Sequence, residues 1–169
     1  SSNGTTATSG QVFVSRLTYG TAAIDSARGT WTMQGARLGA DMTAWVDEGI
    51  AQTQITGTLV GLQPRFRITE GSVTGLDIGS LFAASDSTGI STNLNTTFTG
   101  EWTGSSLAES AADLEWVLLE SRVEGADSLS GAGGVALRDG VAEVRGFIGG
   151  PGQSATVSAL LDPIADAPS

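Results

Sequence analysis

The side chains in this chain best suited to chemistry are its carboxylates. Asp113 and Glu115 stand two residues apart, so on a strand both project from one face, whereas the adjacent Asp47 and Glu48 would point to opposite faces. Paired carboxylates at a set separation hydrolyse glycosides. Here, however, 18 acidic residues give a net charge of −10, so chance pairs are inevitable, and Asp113 and Glu115 fall on a polar face. The reading is that the chain is not an enzyme. Asp86-Ser87-Thr88-Gly89 and Asp127-Ser128 place acids in expected loops where calcium could bind, but neither matches an EF-hand or a Gly-rich calcium repeat. Gly131-Ala132-Gly133-Gly134 lacks the strand–helix setting of a dinucleotide loop. Asn3-Gly4-Thr5 and Asn95-Thr96-Thr97 are glycosylation sequons of a kind that chance supplies often.

Composition removes much of the remaining chemistry. There is no Cys, so disulfides, thiolate metal sites and Cys nucleophiles are absent. There is no His, which removes the usual general base, Ser-His triads and nearly all zinc sites. All 8 basic residues are Arg, so Walker A loops, Schiff bases and Ser-Lys dyads are excluded as well. No cofactor and no metal are expected. The acidic balance repels phosphate backbones, so nucleic acid is not an expected partner, nor is flat docking on an anionic membrane. No apolar run is long enough to span a bilayer as a helix. The chain opens Ser1-Ser2-Asn3-Gly4 without Met and reads as a fragment of a larger protein.

The elements that carry these residues are strands. In residues 36–46 one face reads Ala36, Leu38, Ala40, Met42, Ala44, Val46 and the other Arg37, Gly39, Asp41, Thr43, Trp45. A period of two puts the apolar set on one side of a strand. The pattern recurs over 27–34, 51–60, 65–68, 92–102, 112–118, 142–148 and 155–161, with Thr abundant on the polar sides. Glu70-Gly71, Thr74-Gly75, Asp139-Gly140 and Gly149-Gly150-Pro151 read as turns, and Asp139-Gly140 is the best hairpin signal. Nine or ten strands are expected in one all-β, mainly antiparallel domain over residues 1–169. Short helical turns are expected at most at Leu76–Phe82 and Ser105–Ala112. Residues 1–10 read as a loose end or an edge strand, and 163–169 as a tail. A weak internal repeat aligns Ala40–Val46 with Ala155–Leu161, each preceded by an Arg-Gly pair, Arg28-Gly29 and Arg145-Gly146.

A sheet with one apolar face packs on a second sheet, closes into a barrel or is covered by helices. Helices are too few here. Many apolar positions hold Gly or Ala, which lets a sheet curve and leaves volume that a facing sheet or a lipid tail could fill. Spacing alone leaves a packed core and an open groove both standing.

Two stretches carry a resemblance. In SVTGLDIGSLFAASDSTGISTNLNTTFTGEWTGSSL, Leu76, Ile78 and Leu81 precede a short loop and then a Gly-punctuated strand with Gly89, Leu94, Phe98, Gly100 and Trp102. In the second half, Ser121-Arg122-Val123-Glu124-Gly125 precedes a Gly-rich turn and a strand–Asp-Gly–strand hairpin. Over about residues 25–162 the chain resembles the AsmA/TamB superfamily of bridge-like lipid transfer proteins. That resemblance implies a long curved sheet rolled into an open, hydrophobic groove, a β-taco. It implies work in the periplasm of a diderm bacterium, inner-membrane anchored in the full-length protein, in phospholipid transport between the two membranes and outer-membrane biogenesis. It also implies phospholipid acyl chains as partners, and an Omp85-type outer-membrane protein engaged through other parts. The chain departs from a full family member in showing no matching anchor and no docking segment.

Under this reading the residues lining the lipid groove are Trp31, Met33, Leu38, Met42, Ile55, Leu59, Phe66, Ile68, Leu94, Phe98, Trp102, Leu114, Trp116, Leu118, Val144, Ile148, Val157 and Leu161. They would solvate acyl chains while headgroups stay in water. The alternative is a surface or adhesin-type β-module, a sandwich or β-solenoid with a packed interior, acting as a spacer or protein-binding domain. A transmembrane barrel is disfavoured by the single Tyr and the lack of aromatic girdles.

Overall fold

The computed structural model describes residues 6–19, 22–59, 64–77, 91–105, 109–124 and 126–161. Ten strands follow one another: β1 (Ala7–Tyr19), β2 (Ala22–Gln34), β3 (Arg37–Val46), β4 (Gly49–Thr58), β5 (Arg65–Leu76), β6 (Thr92–Thr103), β7 (Ala111–Val123), β8 (Ala126–Arg138), β9 (Val141–Gly150) and β10 (Gln153–Leu161). They form a single antiparallel sheet in strict chain order. β1 and β10 are its two edges, so it is open and not a barrel. Among the described residues there is no α-helix, and no helix is long and apolar enough to cross a membrane.

Four two-residue turns close successive hairpins: Gly35-Ala36, Asp47-Glu48, Asp139-Gly140 and Pro151-Gly152. Asp139 and Gly140 have φ of 50° and 80°, the left-handed pair that matches the twist of a hairpin. Two other expected turns are corrected. Glu70-Gly71 and Thr74-Gly75 both lie inside β5, where the register shifts between Ile68 and Gly71 and again between Val73 and Leu76. They are bulges: each adds a residue to β5, bending the strand without reversing it. Gly75 takes φ 68° there, and its N–H donates to Asn95 Oδ1 at 3.0 Å. Asn95 also donates its amide to the Glu120 carbonyl, and its N–H reaches Ser121 Oγ, both at 2.9 Å. This sequon asparagine therefore ties the irregular parts of β5 and β7 together through β6.

Residues 7–10, read as a loose end or an edge strand, are paired in the edge strand β1, and Ala111 and Ala112 open β7 instead of closing a helical turn. The other expected helical turn begins at Leu76, which ends β5; residues 78–82 lie outside the described residues, as do Asn3, Asp86 and 163–169. The internal repeat has a structural counterpart. Gly29 pairs with Met42 and Arg28 with Thr43 in the β2–β3 hairpin; Gly146 pairs with Val157 and Arg145 with Ser158 in β9–β10.

Candidate hydrophobic groove

Because each strand alternates and the registers run on from strand to strand, cross-strand partners form continuous rows. One row reads Thr8, Met33, Leu38, Gly57, Phe66, Trp102, Ala112, Leu137, Ala142, Leu161. The next reads Gly10, Trp31, Ala40, Ile55, Ile68, Gly100, Leu114, Val135, Val144, Ala159. A third reads Val12, Gly29, Met42, Thr53, Gly71, Phe98, Trp116, Gly133, Gly146, Val157. A fourth reads Val14, Ala27, Ala44, Ala51, Val73, Thr96, Leu118, Gly131, Ile148, Ala155. Each row takes one residue from every strand. The polar members are Thr8, Thr53 and Thr96, and none is charged.

These rows contain every residue singled out from the sequence except Leu59 and Leu94. Leu94 sits two residues before Thr96 and pairs with Leu76. Leu59 sits two beyond Gly57, with its N–H bonded to the Ala36 carbonyl at 2.7 Å. The register therefore brings the set onto one face. It also adds members that sequence reading passed over: Gly10, Val12 and Val14 on β1, and Leu129, Gly131, Gly133, Val135 and Leu137 on β8. The signal was present in the alternation Leu129-x-Gly131-x-Gly133-x-Val135-x-Leu137, but Gly at two of the five inward positions hid it. The GAGG stretch is the middle of β8.

No second layer covers this face among the described residues. Among the described residues Leu137 is the one buried hydrophobic side chain, and none is fully buried. Met42, Leu59, Trp102, Val157 and Leu161 are exposed. The sheet is curved, and residues from β3 (Leu38, Met42) to β7 (Leu114) border one cavity of about 410 Å³, walled by apolar atoms. Strands four intervals apart would be ~19 Å apart if flat.

Aromatic rings lie down on glycines in the floor. A Cβ built at Gly10 would stand 2.6 Å from the Trp31 ring, one at Gly57 2.6 Å from Phe66, and one at Gly146 2.7 Å from Trp116. Phe98 covers Gly71 in the same way, and Trp116 also covers Gly133. Glycine gives the ring room to pack on the neighbouring strand, so the rings are half-buried and the trough above them stays open. Thr53 breaks the pattern: its hydroxyl is buried and has no hydrogen-bond partner.

The opposite face is polar and carries the ion pairs. Arg67 pairs with Glu101, Arg145 with Glu143, and Arg138 grips both Asp113 oxygens at 2.6 and 2.8 Å. All are exposed, so each contributes about 1 kcal/mol or less. Arg28 lies 5.0 Å from the centre of the Trp45 ring. Asp113 is thus held by an arginine, and Asp47-Glu48 form a hairpin turn, with the Asp47 N–H bonded to Asp25 Oδ2 at 2.6 Å. Among the described residues no cluster of three or more acids could hold a metal ion. Phe13, Val117 and Phe147 are exposed on this outer face too, so it is not polar throughout.

Comparison with family models, curated proteins and solved structures found no match to this chain.

Proposed function

We propose that this chain is a length of lipid-carrying groove from a bridge-like protein of the AsmA/TamB kind. It would work in the periplasm of a diderm bacterium, moving phospholipid between the inner and outer membranes. The observation that carries this reading is the set of four uncharged rows that cross all ten strands with nothing among the described residues packed over them. Apolar surface of that extent exposed to water is costly, and an acyl chain removes the cost at about 0.8 kcal/mol per buried CH₂.

The mechanism is solvation. Acyl chains lie on the rows while headgroups remain at the open side in water. Each strand offers a chain nearly the same aliphatic surface as the strand before it, so no single position traps the lipid. An Omp85-type partner belongs to this proposal through other parts of the full protein.

The test places a photoreactive benzophenone side chain at Met42, on the groove face, and separately at Thr43, on the outer face. Irradiated in bacterial cells, the full-length protein is expected to crosslink phospholipid from position 42 and not from position 43. Phe98→Glu, which sets a carboxylate in the third row, is expected to abolish the position-42 crosslink. Equal labelling at the two positions, or an undiminished crosslink in Phe98→Glu, would leave a spacer module as the better account.

A further inference from the structure

At one end of the strands the outer face carries two arginines side by side. Arg37, Thr58 and Arg65 are successive cross-strand partners on β3, β4 and β5, and all three are exposed. Groups two strands apart are separated by about 10 Å at the backbone, so the two cations repel. Arg67, Arg138 and Arg145 each have a carboxylate, yet among the described residues neither Arg37 nor Arg65 is in an ion pair. With 18 acids in the chain, a counterion at this point would have been easy to place. Instead Thr58 sits between them and adds a hydroxyl.

The position of the pair matters as much as its charge. Each arginine opens its strand and is followed by a groove residue, Leu38 or Phe66. Successive residues rise about 3.4 Å but point to opposite faces, so one amphiphile reaches both the guanidinium groups and the groove only across the end of the strands, where these residues stand. A single cavity of about 490 Å³ is bordered by the outer-face residues Arg37, Thr58 and Arg65, by the Arg67–Glu101 ion pair, and also by Leu38, Phe66 and Trp102. At the far ends of β2 to β5 stand Asp25, Asp47, Glu48 and Asp77, so along these four strands the two ends differ in sign. An anion is drawn to the arginine rim and repelled from the other.

We propose that Arg37 and Arg65, with Thr58 between them, form a phosphate subsite that holds the headgroup of a phospholipid whose acyl chains run over Leu38 and Phe66. The subsite rests on the groove reading. Guanidinium suits the task because its planar fork grips phosphate oxygens through paired N–H donors and stays charged at any physiological pH. The contact is exposed and therefore weak, which a carrier that must release its cargo requires.

The experiment measures binding of three soluble probes by titration calorimetry in low salt: dihexanoyl phosphatidic acid, dihexanoylglycerol and inorganic phosphate. The lipid with phosphate is expected to bind about tenfold more tightly than the one without, the gain of two exposed charge contacts. The preference should shrink as salt rises. Arg37→Gln with Arg65→Gln should remove the preference and leave dihexanoylglycerol binding as it was. Arg37→Lys with Arg65→Lys should keep part of it. Circular dichroism confirms that the variants remain folded. Equal binding of the two lipids by the wild type overturns the subsite while sparing the groove, as does a preference that survives in the glutamine variant. Inorganic phosphate binding as tightly as the phospholipid would mark a free-anion site and overturn the lipid assignment. If neither lipid binds, the groove reading fails and the subsite falls with it.

Discussion

Trp116 and Gly146 give the sharpest quantitative test of how the groove floor is built. A methyl group at position 146 would meet the Trp116 ring at 2.7 Å and, less severely, the Ala132 backbone carbonyl at a tight 3.1 Å. The ring cannot simply slide away, because it also lies over Gly133. In Gly146→Ala the ring must therefore lift, baring roughly 80 Å² of its face, which at ~25 cal/mol per Å² costs about 2 kcal/mol. The exchange of glycine for alanine in a strand returns about 0.5–1 kcal/mol, so the net loss is about 1–1.5 kcal/mol. In a Trp116→Ala background there is no ring to lift, and the same substitution should be neutral or stabilising. The four proteins of this cycle, unfolded in urea and analysed by linear extrapolation, should show a coupling of about 2 kcal/mol. Additive effects would refute the arrangement of ring on glycine and, with it, the reason the trough stays open.

Two further substitutions probe polar groups. Thr53→Val removes the buried, unpartnered hydroxyl from the third row and should raise stability by about 1 kcal/mol in the same urea experiment. Ser121→Ala deprives the Asn95 N–H of its acceptor at a position only 3 % exposed, and should cost about 2 kcal/mol, with faster amide exchange at Asn95.

Much of this structure could be read from period-two alternation alone. Trp31 and Met33, Leu38 and Met42, Leu114 and Trp116 were each assigned to the apolar side by counting, and the register places them there. Asp139-Gly140 read correctly because its chemistry demands two left-handed residues in a row. Glu70-Gly71 and Thr74-Gly75 misled because glycine marks a departure from regular strand geometry without saying whether the chain turns back or bulges and continues. β8 was under-read because a glycine opposite a tryptophan looks like loop composition until the cross-strand partner is known. Openness was not legible in the alternation and came only as what the resemblance implies. The alternation of a sheet over a trough is the same as that of one half of a sandwich, and what stands across from it is a question about distant residues. Arg37 and Arg65 are 28 positions apart in the chain and became neighbours only through the register of β4.

The strands touch, in any substantial way, just the ones before and after them in the chain. Such a molecule is energetically close to one-dimensional: its stability is a sum of strand terms and nearest-neighbour terms, as in a solenoid. A defect in β4 weakens β3 and β5 and is scarcely felt at β9. Unfolding should then proceed as a zipper, and the sheet could be lengthened or shortened by whole hairpins with little penalty at the splice. The matched β2–β3 and β9–β10 hairpins are what growth by duplication would leave behind.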